Sequence, residues 1–393
     1  MSALRVLISG GGIAGLSLAL CLRRRGHDAL IIERAPQLRD QGYMIDFFGS
    51  GYDAAERLDL LPDLAAIHDP VARLAFVGPE GQERFSVHYP ALRRRLFRDR
   101  HFNFMRGDLE RVLFEKVHES QAIRFGTQVD SFEDIGTRVR VRLTDGSTEE
   151  ADLLVAADGV HSRVRELAFG PEREFVRPLG YNTAAFVVED AALRDQVGDR
   201  LAMLTEPGRQ AALYPIRSGR VAVFFVHKAL NESGDHSRAS ALAELKTVYR
   251  GMRWAVPRLL EHAGTADIHV DAVSQVVVSR WHRRRTVLLG DAGYCVSLLA
   301  GQGASLAMAG AYILAEELAT SRDDIISALA RYESRLRPGV ERKQAAGRGL
   351  ARWFVPESRV RILARDLALR MSAWPIFSNL VGRAFAAESI LRK

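Results

Sequence analysis

Two glycine-rich elements near opposite ends of the chain carry the residues best suited to chemistry. The first, Gly10-Gly11-Gly12-Ile13-Ala14-Gly15, has the G-x-G-x-x-G spacing of a dinucleotide-binding turn. Gly10 permits a tight turn, Gly12 lets the backbone approach a pyrophosphate, and Gly15 lets a helix pack closely on a strand. The pyrophosphate then meets unpaired N–H groups at the positive end of the helix dipole. Glu33, roughly 20 residues further on, is placed to bond a ribose 2′-hydroxyl. Its charge argues against a 2′-phosphate, hence against NADP, at this site. The turn alone does not separate NAD from FAD.

The second element does. Gly290-Asp291 closes an apolar strand, and Gly301-Gln302-Gly303 opens a helix running from Ala304 to about Leu318. Asp291 is an acceptor suited to ribityl hydroxyls. A helix N-terminus, equivalent to about +0.5 of a charge, stabilises the negative charge of a two-electron-reduced flavin. Together the two elements point to one extended FAD, its adenosine end near residue 10 and its reactive ring near residue 303.

These residues need elements to hold them. Val6-Leu-Ile8 reads as a buried parallel strand, Leu16–Arg25 as a helix and His27–Glu33 as the next strand, which is a βαβ unit in the register the turn requires. Leu109–Val117 has helical periodicity. Strands at 122–125, 138–143 and 149–156 follow, and the last ends in the turn Asp158-Gly159. From about Tyr181 to Ala272 the pattern is β-rich, with 73–77 and 83–88 as further strands. We expect an α/β fold: a Rossmann-like FAD-binding domain (1–72, 98–178 and 273–345), an inserted, mainly antiparallel β-sheet substrate domain (73–97 and 179–272) and a C-terminal helical tail (346–393). The tail is apolar-periodic and Arg-rich, including Val360–Leu369 and Ile376–Leu380. It reads either as an amphipathic membrane-surface helix or as a bridge between the domains.

Composition narrows the function. At 393 residues the chain exceeds one typical core. The net charge of +7 comes almost wholly from scattered Arg, with no basic run interleaved with aromatics, which argues against nucleic-acid binding. Two cysteines, Cys21 and Cys295, make no disulfide framework. No leader is expected, and no apolar run approaches the ~18 residues of a membrane span, so we expect a cytoplasmic protein without integral membrane contact. No metal-ligand spacing is present, and we expect no metal.

Taken together, Gly10–Gly15 with Glu33-Arg34, Asp158-Gly159, and Gly290-Asp291 with Gly301-Gln302-Gly303 resemble the landmarks of class A flavin-dependent monooxygenases, the single-component enzymes with the para-hydroxybenzoate hydroxylase fold. The resemblance spans about residues 4–345. It implies FAD contacts by Arg106, an adenine contact by Val129, and a place for Asp158-Gly159 near both FAD and the nicotinamide nucleotide. The segment 39–46 is similar to one in tetracycline-inactivating members, which makes Arg39 a candidate for NADPH and Asp46 one for FAD or the site wall. The chain departs from the family where Tyr294, Leu298 and Ser305 stand in place of His, Pro and Asn. The family's proline lies close to the flavin ring, so Leu298 bears on the pocket.

The resemblance implies that NADPH or NADH, bound transiently, reduces the FAD. Molecular oxygen then forms a flavin C4a-hydroperoxide that hydroxylates an aromatic or polycyclic, polyketide-like small molecule. The chemistry is borne by the flavin, so no catalytic side chain is expected. Substrate candidates are Phe47, Phe48, Tyr214, Phe224 and His227, with Leu298. Phe224 and Phe225 point to opposite faces of their strand, so no more than one lines the site. The alternative is another FAD oxidoreductase on the same scaffold: a reductase, a dehydrogenase or a halogenase.

Overall fold

The computed structural model describes residues 3–38, 42–230, 238–320, 324–371 and 389–392. Arg39 and Ile376–Leu380 lie outside the described residues.

Val6, Leu7 and Ile8 are buried on both faces, as a continuous apolar run must be in a parallel sheet covered on both sides. Their strand, Arg5–Ser9, lies at the centre of a six-stranded sheet. Its order is His282–Arg283, Thr286–Leu288, Leu153–Ala156, Arg5–Ser9, Asp28–Glu33, Ala122–Phe125. Every pairing is parallel except the first, a hairpin. The helix Ile13–Arg23 begins directly at the glycines, earlier than its apolar periodicity suggested. It is buried from Ile13 to Leu22, because the sheet lies on one side and the helix Gly303–Thr320 on the other.

The second large sheet has seven strands in the order His269–Val276, Val176–Val188, Val221–Lys228, Arg209–Pro215, Arg200–Glu206, Arg73–Val77, Glu83–His88. All pairs are antiparallel save Arg200–Glu206 with Arg73–Val77. On one face the helices Arg238–Val248 and Val256–Thr265 cover a core that includes Phe225 and Tyr249. The other face, with Tyr214 and Phe224, turns toward Met44 and Met105.

Three expected domain limits fall inside single elements. Val176–Val188 runs through 178/179, His269–Val276 through 272/273, and the helix Ile325–Phe354 through 345/346. The physical reason is that these elements serve two layers at once. The pairing of Val176–Val188 with His269–Val276 breaks register between Pro178 and Asn182, with Gly180 at φ +79° in the break. Such a bulge bends one continuous strand from one layer to the next.

Beyond Phe354 the helix Arg359–Met371 lies against Glu83–His88 and Arg200–Glu206. Arg365 holds it there. Its guanidinium donates to Thr205 Oγ1 at 3.3 Å, Gln210 Oε1 at 3.4 Å and the Phe354 carbonyl at 3.2 Å, and lies over the Phe76 ring. The tail helix thus joins the long helix to the seven-stranded sheet, as a bridge does. Among the described residues, no helix is long and apolar enough to cross a membrane.

Candidate functional site

The fingerprint turn is built by close approach. Gly10 sits at φ +113°, and a Cβ there would stand 2.3 Å from the Ala157 carbonyl oxygen. A Cβ on Gly15 would stand 2.0 Å from the Gly10 carbonyl oxygen. Neither contact is survivable, so both positions need glycine for the protein's own packing. Gly12 differs. A Cβ there would meet only the Glu110 and Arg106 side chains, at 3.6 and 3.9 Å, so nothing in the fold itself demands glycine. Gly12 is also the N-cap of the helix Ile13–Arg23 and offers no side-chain acceptor. The first N–H groups of that helix are left for another partner.

Glu33 does more than its spacing announced. Its carboxylate accepts the Gly11 N–H at 2.7 Å and the Ala35 N–H at 2.7 Å, locking the turn to the end of the second strand. Arg34 beside it is exposed. Val129 is buried in the main core and pairs with Leu143. Asp158 accepts the Ser162 hydroxyl at 2.5 Å and the Val164 N–H at 3.2 Å, so it holds the start of the helix Arg163–Phe169. Burial raises its pKa. Gly159 is at φ +82° with open space around it, and Asp158 Cα lies against Gly10.

The second glycine element comes to the first through small residues. Gly290 is at φ +65°, and a Cβ there would stand 2.9 Å from Ala14 Cβ and 3.7 Å from Ala307 Cβ. This contact sets Asp291 beside the fingerprint helix. A Cβ on Gly303 would lie 3.7 Å from Asp291 Oδ1, and one on Gly301 would lie 3.9 Å from Asp46. Arg106, the first residue of the helix Arg106–Val117, completes the group. It pairs with buried Glu110 at 3.1 Å, and its N–H donates to the Tyr43 carbonyl at 3.1 Å. Burial raises the Asp291 pKa, opposed by the Arg106 charge and a hydrogen bond from Cys295. The Glu110 carboxylate, outweighing burial, holds the Arg106 pKa above its ordinary value. Burial likewise pushes the Tyr43 hydroxyl up.

Asp46 faces this group from the strand Met44–Phe48. Its Oδ1 accepts from the Tyr89 hydroxyl at 2.8 Å, His101 Nε2 at 3.0 Å and Asn103 Nδ2. Burial raises its pKa, yet the hydrogen bonds from His101, Tyr89 and Asn103 win and hold it below the ordinary 3.8. Phe48 shares this face, its ring tilted against that of Phe97 at 4.4 Å, and its N–H donates to Ser305 Oγ at 3.3 Å. Phe47 points the opposite way, into the main core against Phe104.

From the seven-stranded sheet, the Tyr214 hydroxyl accepts the Met44 N–H at 2.7 Å. The Phe224 ring lies 6.2 Å from that of Tyr43 and packs in one cluster with Leu298. Tyr43, Asp46, Arg106, Phe224, Asp291, Leu298, Gly301 and Gly303 all keep partial exposure, marking an opening between the layers.

Two substrate candidates are corrected: Phe47, which enters the main core, and His227. His227 does not join Tyr214 and Phe224. It projects from the other face of its strand, buried edge-on to Tyr249, with Nε2 3.2 Å from Glu244. Tyr294, standing in place of a family histidine, also turns away from the opening. It is buried between Trp281 and Tyr332, its hydroxyl 3.0 Å from that of Tyr332. A Cβ on Gly310 would lie 2.2 Å from the Tyr294 hydroxyl, so a glycine inside the helix Gly303–Thr320 makes the room. Sequence reasoning also missed Tyr43, Tyr89, His101, Asn103 and Glu110. Of these, only Glu110, one turn after Arg106, left a readable signal.

A family model described as an FAD binding domain matches residues 91–342, and one described as an NAD(P)-binding Rossmann-like domain matches residues 8–54. The FAD-dependent monooxygenase asL6 of Sarocladium schorii is 30% identical over 372 residues, covering 86% of each chain. The chain belongs to the class A FAD-dependent monooxygenases. An uncharacterized protein of Mycobacterium tuberculosis is 34% identical over 348 residues, covering 86% of this monooxygenase and 91% of the relative. Among solved structures, the tetracycline destructase Tet(55) superposes with a TM-score of 0.85 at 27% identity, covering 100% of this chain and 99% of its own. HpxO of Klebsiella pneumoniae, in complex with FAD and uric acid, gives 0.81 at 26% identity over 98% and 97%.

FAD is the cofactor of this monooxygenase, and the Rossmann-like match is consistent with a nicotinamide reductant. The residues present fit that group. The uncapped helix start at Gly12, with Arg106 beside it, suits a pyrophosphate. Asp291 offers carboxylate oxygens between that helix start and the 301–303 loop, where a linker of hydroxyls would lie.

Proposed function

We propose that this monooxygenase hydroxylates an aromatic or polycyclic, polyketide-like small molecule with O₂, using NADPH or NADH as reductant, and acts in the cytoplasm. In this reading the N–H groups at Gly12, Ile13, Ala14 and Gly15, with Arg106, hold the pyrophosphate. Glu33 and Arg34 flank the ribose, Val129 the adenine, and Asp291 the ribityl chain. The loop Gly301-Gln302-Gly303 and Ala304 present the N-terminus of an 18-residue helix to the flavin ring. Asp158-Gly159 backs the fingerprint turn, and Asp46 walls the ring's other side. Bound there, FAD supplies the activation of oxygen; the chain binds, orients and excludes water.

Phe224, Tyr214, Leu298 and Phe48 supply a mostly apolar wall for a ring system, with Tyr43 between them and the cofactor. The tetracycline destructase and uric-acid-bound neighbours support a flat, polar-edged substrate. One observation carries the reading: Ala14, Gly290 and Ala307 pack together, so both glycine elements border one opening. The test is oxygen uptake with NADPH or NADH, scanning polyphenols and polycyclic phenols for substrate-dependent turnover. We expect a product heavier by one oxygen atom. Steady NAD(P)H oxidation with no oxygenated product from any substrate would instead favour a reductase or dehydrogenase.

A further inference from the structure

The tail helix Arg359–Met371 is inverted for a helix on a protein surface. Its neighbouring charges Arg365 and Asp366 are buried and pair at 2.9 Å. Its apolar residues face outward instead: Val360 is 75% exposed, and Leu363 and Leu367 are each 58% exposed. Among the described residues these are the three most exposed large apolar side chains. They recur at i, i+3 and i+7, so they form a single stripe along the helix.

The inward face is fully engaged. Ile362 is buried, Leu369 packs in one cluster with Phe76 and Met203, and Arg365 binds the sheet and the Phe354 carbonyl. These contacts fix the roll of the helix and with it the outward stripe. Burying a leucine is worth about tenfold or more in an equilibrium constant. A stripe of three left in water on a helix held this firmly points to a surface that covers it.

The charges say which surface. Asp366, the only acidic residue of the helix, is turned inward. Arg359, Arg361 and Arg370 are exposed. At 3.6 residues per turn, Arg361 falls on one side of the stripe and Arg359 and Arg370 on the other. Just ahead of the helix, Glu357 is engaged by Lys228 at 3.1 Å. An apolar stripe between arginine rims, with no acid of its own facing out, matches the boundary between acyl chains and anionic headgroups. A two-fold pairing of this face with itself would instead set arginine rims against each other.

We propose that the outward face of Arg359–Met371 is a peripheral anchor for an anionic membrane surface. Val360, Leu363 and Leu367 enter the acyl boundary, and Arg359, Arg361 and Arg370 meet the headgroups. Bridge and anchor are then two faces of one helix. The contact stays at the surface and is reversible, because three side chains bury far less than a spanning segment does. On the inner face Leu369 shares a cluster with Phe224, so the anchored stripe and the wall of the opening are one helix apart.

The test is flotation of the full-length, FAD-loaded protein with two kinds of vesicle. One is phosphatidylcholine alone, the other about three parts phosphatidylcholine to one part phosphatidylglycerol. The mixed vesicles should bind about tenfold or more tightly than the neutral ones, and less so as salt rises. L363E/L367E should weaken binding to mixed vesicles at least about tenfold. R359Q/R361Q should remove most of the preference for the anionic vesicles. Thermal melts and FAD content check that each variant is folded, and the milder L363Q/L367Q gives the same reading if the glutamates disturb the helix. Wild-type protein that ignores the mixed vesicles, or binds both kinds equally, overturns the proposal. So do leucine variants that bind as wild type does. Dimers that L363Q/L367Q abolishes, in the absence of vesicle binding, would assign the face to a second copy of the chain instead.

Discussion

Gly10 and Gly12 look equivalent in the motif but obey different constraints. At Gly10 a side chain meets the Ala157 carbonyl at 2.3 Å and a backbone at φ +113°. G10A should therefore destabilise the protein itself, by about 2–4 kcal/mol, seen in thermal or urea unfolding of the apoprotein. At Gly12 only side chains lie near, so G12A should leave apoprotein stability within about 1 kcal/mol while weakening FAD binding tenfold or more. Equal losses of stability in the two variants would contradict this division. Asp46 makes a prediction in pH. Its folded pKa is depressed, so its contribution to stability is present above the ordinary 3.8 and is lost as pH falls through the lower folded value. D46N should flatten the acid limb of stability against pH, measured by urea unfolding at a series of pH values.

At the level of elements, the helix Gly303–Thr320 reconciles two demands. Its N-terminus must sit at the opening, and its middle must pass the buried Tyr294. Gly310 resolves the conflict, because any larger residue would strike the Tyr294 hydroxyl at 2.2 Å. G310A should cost about 1–3 kcal/mol by overpacking. Y294F removes the atom that is struck, so the double variant should recover part of that loss. A double-mutant cycle reads the coupling directly, and strict additivity would show that the two residues do not share the space. The same element logic explains His227. The helices Arg238–Val248 and Val256–Thr265 cover one face of the seven-stranded sheet, and alternation along Val221–Lys228 assigns His227 to that covered face and Phe224 to the open one.

For the whole molecule, the tail decides how the layers are held. Arg365 and Asp366 are both buried, and the Arg365 guanidinium reaches Asp366 at 2.9 Å besides its contacts to the sheet. Removing Arg365 leaves the buried Asp366 only the longer contact to Arg84, at 3.8 Å. R365A should cost about 3–5 kcal/mol and expose the tail helix to early proteolysis, read by limited digestion beside a thermal melt. Leu369 packs in the same cluster as Phe76, Met203 and Phe224, so loosening the tail should also change the substrate side of the opening.

Glycine positions and their acidic companions were legible in the linear chain because they answer to local rules. A turn with positive φ, a helix starting at that turn and a carboxylate ending the next strand are all set within a few residues. That was enough to read FAD and the layered α/β architecture, and to propose the two elements that would grip it. What the chain order concealed was which side chains meet across layers. Tyr294 became core because a glycine in the next helix left a hole. His227 was turned from the opening by helices that follow its strand. Val176–Val188 crossed an expected boundary because one bulged strand serves two layers. Such contacts depend on packing between distant segments, which only the folded arrangement of the layers decides.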